Sequence, residues 1–154
     1  MNLFDLSGKT AVVTGGSRGI GLMAARGLAS AGARVYVVSR DAAACDEAVA
    51  EISSVGEAIA LPADLSSVEG CAALATSLAE REERLDILVN NAGAAWGASI
   101  DDYPVAGWDK VMNLNLRSPF FLVQALLPLL EAAGSQGAPS RIINVGSVDG
   151  LRVP

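Results

Sequence analysis

Residues 10–21 read Thr10-Ala11-Val12-Val13-Thr14-Gly15-Gly16-Ser17-Arg18-Gly19-Ile20-Gly21, an apolar strand-like run passing directly into a glycine-rich turn. Glycines at 15, 19 and 21 remove side chains where a backbone must turn sharply and approach a bulky anion. Leu22-Met23-Ala24-Ala25-Arg26-Gly27-Leu28-Ala29 follows, a helix-compatible stretch whose first turn carries free N–H groups and a partial positive charge. Strand, turn and helix N-terminus together predict a pyrophosphate cradle.

Outward from this junction, short apolar runs alternate with helical patterns. Strands are predicted at 9–14, 34–39, 57–61, 85–90 and 141–145, and helices near 19–30, 41–54, 66–82 and 109–131. Such alternation predicts an α/β fold: a right-handed, doubly wound parallel sheet with helices on both faces. Gly32 is placed to close the first helix, and Ser66 with Glu69 to form a capping box on the third. Pro119 predicts a kink or break in the fourth. The segment 94–107, with Gly97, Pro104 and Gly107, reads as a loop at the carboxyl end of the fourth strand, where doubly wound sheets bind ligands. Gly134–Ser140 reads as a surface loop.

Composition narrows the function. The 154 residues are 51% hydrophobic but only 5% aromatic, which suits buried parallel strands covered by small-residue helices. A net charge of −6 argues against a nucleic-acid binder. Met1-Asn2-Leu3-Phe4-Asp5 lacks the basic-then-apolar order of a secretory signal, and the run from Phe120 to Leu130 is too short to span a bilayer. Cys45 and Cys71 have no metal-ligand spacing, and the chain has no His. A cytoplasmic protein with two reduced thiols and no metal is the expectation.

Thr14-Gly-Gly-Ser-Arg-Gly-Ile-Gly21, Asp64-Leu65, Asn90-Asn91-Ala92-Gly93, Asn115 and Ser147 stand in the order and spacing of the single-domain short-chain dehydrogenase/reductases, and the chain resembles that family from about residue 7 to its end. The resemblance implies a Rossmann-type three-layer α/β/α domain. Residues 1–154 would then be the N-terminal portion of one NADP-binding domain, ending after the fifth strand. Around the fourth strand, Trp96-Gly97-Ala98, Tyr103-Pro104-Val105 and Gly107-Trp108, with Gly146-Ser147 further on, look like the subgroup of 3-oxoacyl-acyl-carrier-protein reductases found in rhamnolipid biosynthesis.

The resemblance assigns a cofactor site to Gly15, Gly16, Ser17, Arg18, Gly19, Ile20, Gly21, Ser39, Arg40, Asp64, Leu65, Asn91, Ala92 and Gly93. In the family an acid at the end of the second strand accepts both ribose hydroxyls of NAD. Here that position is Ser39, followed by Arg40, so a guanidinium stands ready for a 2′-phosphate and Arg18 adds a second. Two charge-assisted bonds favour NADP(H) by ~100-fold or more, at tenfold per 1.4 kcal/mol. Asp64 is implied to accept the adenine amino group and Leu65 to pack beside the ring. Their plainer reading is a loop aspartate ahead of the Ser66 cap. Asn91 is implied along the ribose, and Asn90 to tie neighbouring strands.

Asn115 matches the family's helix asparagine, a post that holds a water in the proton path. Ser147 matches the catalytic serine, donating to a carbonyl oxygen as charge develops there. Without His, a serine-hydrolase reading fails. The family's proton donor lies in Tyr-x-x-x-Lys, but Tyr36 and Tyr103 have no lysine four residues on. The expectation is a piece of a longer reductase, inactive by itself. Its implied partners are a small-molecule carbonyl substrate, acyl thioesters among them, and further copies in a homodimer or homotetramer. A non-catalytic dinucleotide-binding protein and an unfolded fragment are the alternatives.

Overall fold

The computed structural model describes residues 4–151. Met1–Leu3 and Arg152–Pro154, where parts of the leader and chain-end readings fall, lie outside the described residues. Five parallel strands form one sheet: β1 (Thr10–Thr14), β2 (Arg34–Val38), β3 (Ala58–Ala60), β4 (Ile87–Asn90) and β5 (Arg141–Asn144), in the order β3-β2-β1-β4-β5. Helices α1 (Gly19–Ser30), α2 (Ala42–Ile52) and α3 (Val68–Ala79) connect the first four strands. Winding runs outward from β1 to β3 and then returns to place β4 on the other side of β1. The chain reverses direction across the sheet at the β1/β4 boundary, where carboxyl ends open a crevice.

Alternate side chains of β1 and β2 feed two cores. Val12, Tyr36, Val38 and Leu88 face α3 and the long helix that precedes β5, meeting Leu74, Leu78, Leu122 and Leu126. Ala11, Val13, Val35, Val37 and Val89 face α1 and α2, meeting Ala25, Ala29, Cys45, Ala48 and Ile52. Because both faces are covered, these strands read as unbroken apolar runs rather than alternating ones. The small residues of α1 and α2 let those helices lie close to the sheet. The three-layer arrangement predicted from sequence is present.

Four local expectations change. First, α3 is capped by Ser67, whose hydroxyl accepts from the Gly70 N–H at 3.1 Å, and not by Ser66. The Ser66 N–H is bound instead to the Asp64 carboxylate at 3.0 Å. Second, the loop after β4 ends earlier than expected, since α4 (Val105–Met112) begins directly after Pro104.

Third, Pro119 does not end the helix: the α-helical pattern is interrupted by a π-helical turn at Asn113–Arg117, which leads from α4 into α5 (Ser118–Ala133), and Pro119 falls in the first turn of α5. There its missing N–H costs nothing within the new helix. Fourth, the continuous helix Val105–Ala133 has 29 residues and is long and apolar enough to cross a membrane by length and composition, so the short-run argument fails. Its Leu122, Leu126 and Leu130 are buried in the core beside α3. Phe120 and Leu127 of the same run are exposed.

Candidate cofactor cleft

The chain leaves β1 through Gly15, at φ +64°, and enters α1 at Gly19; at Gly21, in the first turn of the helix, it packs back on Gly15. A Cβ on Gly21 would sit 2.1 Å from the Gly15 carbonyl oxygen and 2.5 Å from Asn91 Nδ2. No side chain of any kind fits there. Asn91 accounts for the closeness: its amide nitrogen donates to the carbonyls of Thr14 at 3.1 Å and Gly15 at 3.2 Å. Thr14 completes the joint. Its buried hydroxyl accepts from the N–H groups of Asn91 and Ala92, both at 3.0 Å, and donates to the Val89 carbonyl at 3.3 Å.

At the head of α1 no side chain caps the helix and no acid occupies the first turn, whereas α2 and α3 are capped by Asp41 and Ser67. The first N–H groups of α1 therefore remain donors for a ligand, on the positive end of the helix. A cleft of about 580 Å³ opens beside them across the carboxyl ends of β2, β1 and β4. Gly15, Ser17, Arg18, Ser39, Arg40, Leu65, Asn91, Ala92 and Gly93 line it, all of them anticipated from sequence. Gly16, Gly19, Ile20, Gly21 and Asp64 do not line it. Gly16 instead binds the end of β2, donating its N–H to the Val38 carbonyl at 3.1 Å.

The cations and the anions of this edge are unequally engaged. Among the described residues Arg18 and Arg40 form no ion pair, unlike Lys9, Arg34 and Arg84 at the opposite edge. Asp64 is held as a carboxylate by the Ser66 backbone N–H and side chain, with Arg40 adding its charge, and these pull its pKa below the ordinary value.

Sequence reasoning missed Asp41, Val38, Ala44, Ala63 and Leu114 in the lining, and the Thr14 hydroxyl behind it. Asp41 was detectable, since an aspartate directly before an alanine-rich helical run is a capping signal. It brings one carboxylate into a cleft expected to lack one there, with Oδ1 bound to the Ala44 N–H at 3.1 Å.

Neither proposed catalytic residue lines the cleft. Asn115 lies in the π turn and grips the loop after β4: Oδ1 accepts from the Ala94 N–H at 2.8 Å and Nδ2 donates to the Ala94 carbonyl at 2.9 Å. Both polar atoms of that side chain are engaged. Ser147 is exposed at the carboxyl end of the sheet, three residues past β5. Asn90, as expected, ties β4 to β5 through Asn144 at 2.9 Å.

Neither tyrosine stands in as an acid. Burial, reinforced by the Glu82 carboxylate, pushes Tyr36 up to about 12, and its hydroxyl donates to Glu82 at 2.8 Å. Tyr103 donates to the Trp96 carbonyl at 3.3 Å.

A sequence model of the short chain dehydrogenases matches residues 9–154. The rhamnolipids biosynthesis 3-oxoacyl-[acyl-carrier-protein] reductase of Pseudomonas aeruginosa is 55% identical over 148 residues, covering 96% of this chain and 58% of that protein. The D-beta-hydroxybutyrate dehydrogenase of Rhizobium meliloti is 37% identical over 93% of this chain and 55% of its own length. Among solved structures, the Pseudomonas aeruginosa RhlG/NADP active-site complex superposes with a TM-score of 0.96 at 52% identity, covering all of this chain and 60% of that one. A metagenomic short-chain oxidoreductase in complex with NADP gives 0.87 at 41% identity, covering 96% of this chain and 66% of that one. The chain thus spans about three-fifths of the length of such relatives. With its glycine turn, its uncapped α1 and its Asn-Asn-Ala-Gly segment assembled at one sheet edge, it belongs to the short-chain dehydrogenase family.

Proposed function

We propose that the cleft binds NADP(H) and that the chain carries the cofactor-holding part of an NADPH-dependent carbonyl reductase of 3-oxoacyl type. The observation that carries this reading is the uncapped N-terminus of α1, set in a cleft whose lining holds the unpaired guanidiniums of Arg18 and Arg40. The donor set fits an elongated ligand with several anionic groups. Backbone N–H groups of the glycine turn and of the uncapped α1 N-terminus take the pyrophosphate. Arg40, beside Ser39 at the β2 end, takes the ribose 2′-phosphate, and Leu65 offers an apolar wall. With the phosphorylated ribose at β2, the redox end of the dinucleotide lies toward β4.

Bound there, the dinucleotide supplies the hydride that turns a ketone into a secondary alcohol. Ser147 donates a hydrogen bond to the substrate oxygen as it becomes negative. Asn115 holds the loop after β4 through Ala94 and serves as the relay post for a water in the proton path. These 154 residues contain no Tyr-x-x-x-Lys, so the chain alone is expected to turn over negligibly. The name of the 55% identical relative favours the acyl class of substrate. The whole protein is read as a cytoplasmic homodimer or homotetramer.

Calorimetric titration tests the cofactor assignment. Saturable NADPH binding is expected, with Arg40→Asp weakening it at least ~10-fold and leaving NADH binding within about twofold. Equal NADPH affinity before and after the substitution refutes the assignment. Robust ketone-dependent NADPH oxidation by the 154-residue chain would sink the inactivity claim. Saturable binding without turnover is also what a purely dinucleotide-binding protein gives. A Tyr-x-x-x-Lys in frame beyond codon 154 decides between the two.

A further inference from the structure

Arg40 has an unusual setting: its guanidinium forms no ion pair among the described residues, while the turn that carries it is enclosed by hydrogen bonds. The Ser39 hydroxyl donates to the Asp41 carbonyl at 3.1 Å and accepts from the Asp41 N–H at 3.2 Å. The Asp41 carboxylate accepts from the Ala44 N–H at 3.1 Å and so fixes the start of α2. One turn into that helix, the fully buried Cys45 directs its thiol at Ser39, Sγ lying 3.4 Å from the hydroxyl oxygen and 3.9 Å from the backbone carbonyl oxygen. A serine hydroxyl has one proton and two lone pairs. The proton and one lone pair are taken by Asp41, and the Cys45 thiol crowds the remaining lone pair, so the hydroxyl is committed to its own turn.

We infer that Ser39, Asp41 and Cys45 form a hydrogen-bonded frame that aims the Arg40 guanidinium into the cleft, making Cys45 a positioning residue for choosing between the 2′-phosphorylated and the plain dinucleotide. The inference rests on reading the cleft as an NADP(H) site. Cys45 cannot touch a ligand, because it is sealed beneath the turn. Its influence runs only through Ser39. Loosening the frame spreads Arg40 over more orientations, which weakens a bond that only the phosphorylated ligand makes. The glycine turn that grips the pyrophosphate of either cofactor is held separately, by Asn91, Thr14 and Gly16.

The test is calorimetric titration of the 154-residue chain with NADPH and with NADH, for wild type, Cys45→Ala, Cys45→Ser and Ser39→Ala. The NADPH-to-NADH affinity ratio is expected to fall about threefold in Cys45→Ala and about tenfold in Ser39→Ala, each bond being worth ~0.5–1.5 kcal/mol net. Cys45→Ser restores a donor and recovers most of the ratio, and NADH affinity stays within about twofold throughout. Circular dichroism establishes folding, and Ser39→Ala carries the test should Cys45→Ala unfold. An unchanged ratio in folded variants, or equal loss for both cofactors, overturns the frame. A wild-type chain that ignores NADPH or prefers NADH overturns the cofactor reading itself.

Discussion

Two glycines of one helix, Gly21 and Gly27, face opposite demands. At Gly21 an added Cβ meets the Gly15 carbonyl and the Asn91 amide, and neither can yield without opening the turn. Gly21→Ala is therefore expected to cost ~1–3 kcal/mol, as overpacking does, and to abolish NADPH binding. At Gly27, exposed in mid-α1, nothing lies within 4 Å, so Gly27→Ala should stabilise by ~0.5–1 kcal/mol and leave binding unchanged. Urea unfolding with a parallel NADPH titration reads both.

The glycine spacing was legible because it belongs to one continuous stretch. Its reason was not, since the colliding Asn91 amide is far away in sequence. The same limit hid the Thr14 hydroxyl, whose partners in the Asn-Asn-Ala-Gly segment lie more than seventy residues on. Ser39 was readable as a position at a strand end, but its engagement by Asp41 and Cys45 was not.

Strand and helix periods were readable along the whole chain, and the observed elements fall on the predicted ones to within a few residues. The departures lie where tertiary contact overrides local signal. Pro104 and Gly107 read as loop residues, yet Pro104 precedes α4 and Gly107 is packed under the Trp96 indole, 2.7 Å from where its Cβ would be. No 3.6-residue pattern can announce a π turn, which absorbs Pro119.

Between β1 and β4 the decisive element contact is Asp86, which accepts from Lys9 Nζ at 2.7 Å and from the Thr10 N–H at 3.0 Å, with Arg84 Nε 3.6 Å away. Burial pushes its carboxyl pKa up, but the Lys9 and Thr10 hydrogen bonds and the charges of Lys9 and Arg84 outweigh this, and the net shift is downward. A depressed carboxyl contributes stability that is full above its unfolded pKa of about 3.9 and is lost as pH falls through the folded value. Asp86→Asn should cost ~2 kcal/mol at pH 7, and the gap to wild type should close in acid. Urea midpoints at pH 7 and pH 3 measure it; a gap that widens in acid contradicts the sign.

At the scale of the molecule the sheet is asymmetric. β1, β2 and β4 are buried apart from Arg34 at the start of β2, whereas every residue of β5 is exposed, Ile142 by 43% and Ile143 by 47%. An apolar edge strand with open backbone groups pairs with other chains. Concentration-dependent self-association is expected in sedimentation, and Ile143→Lys should suppress it. Ile143 pairs with Val89 and so lies on the α1 face, away from the ion pairs that secure β1 to β4.

Opposite ends of the strands do different work. Lys9, Arg34, Arg84, Glu57, Glu82 and Asp86 interlock at the amino ends, whereas the unpaired Arg18 and Arg40 stand at the carboxyl ends. Five residues of strand hold the two districts roughly 15 Å apart, beyond the ~8 Å Debye length of physiological saline. Engineering for durability and engineering for coenzyme preference can thus proceed on separate ends of the same scaffold, each blind to the other's charges.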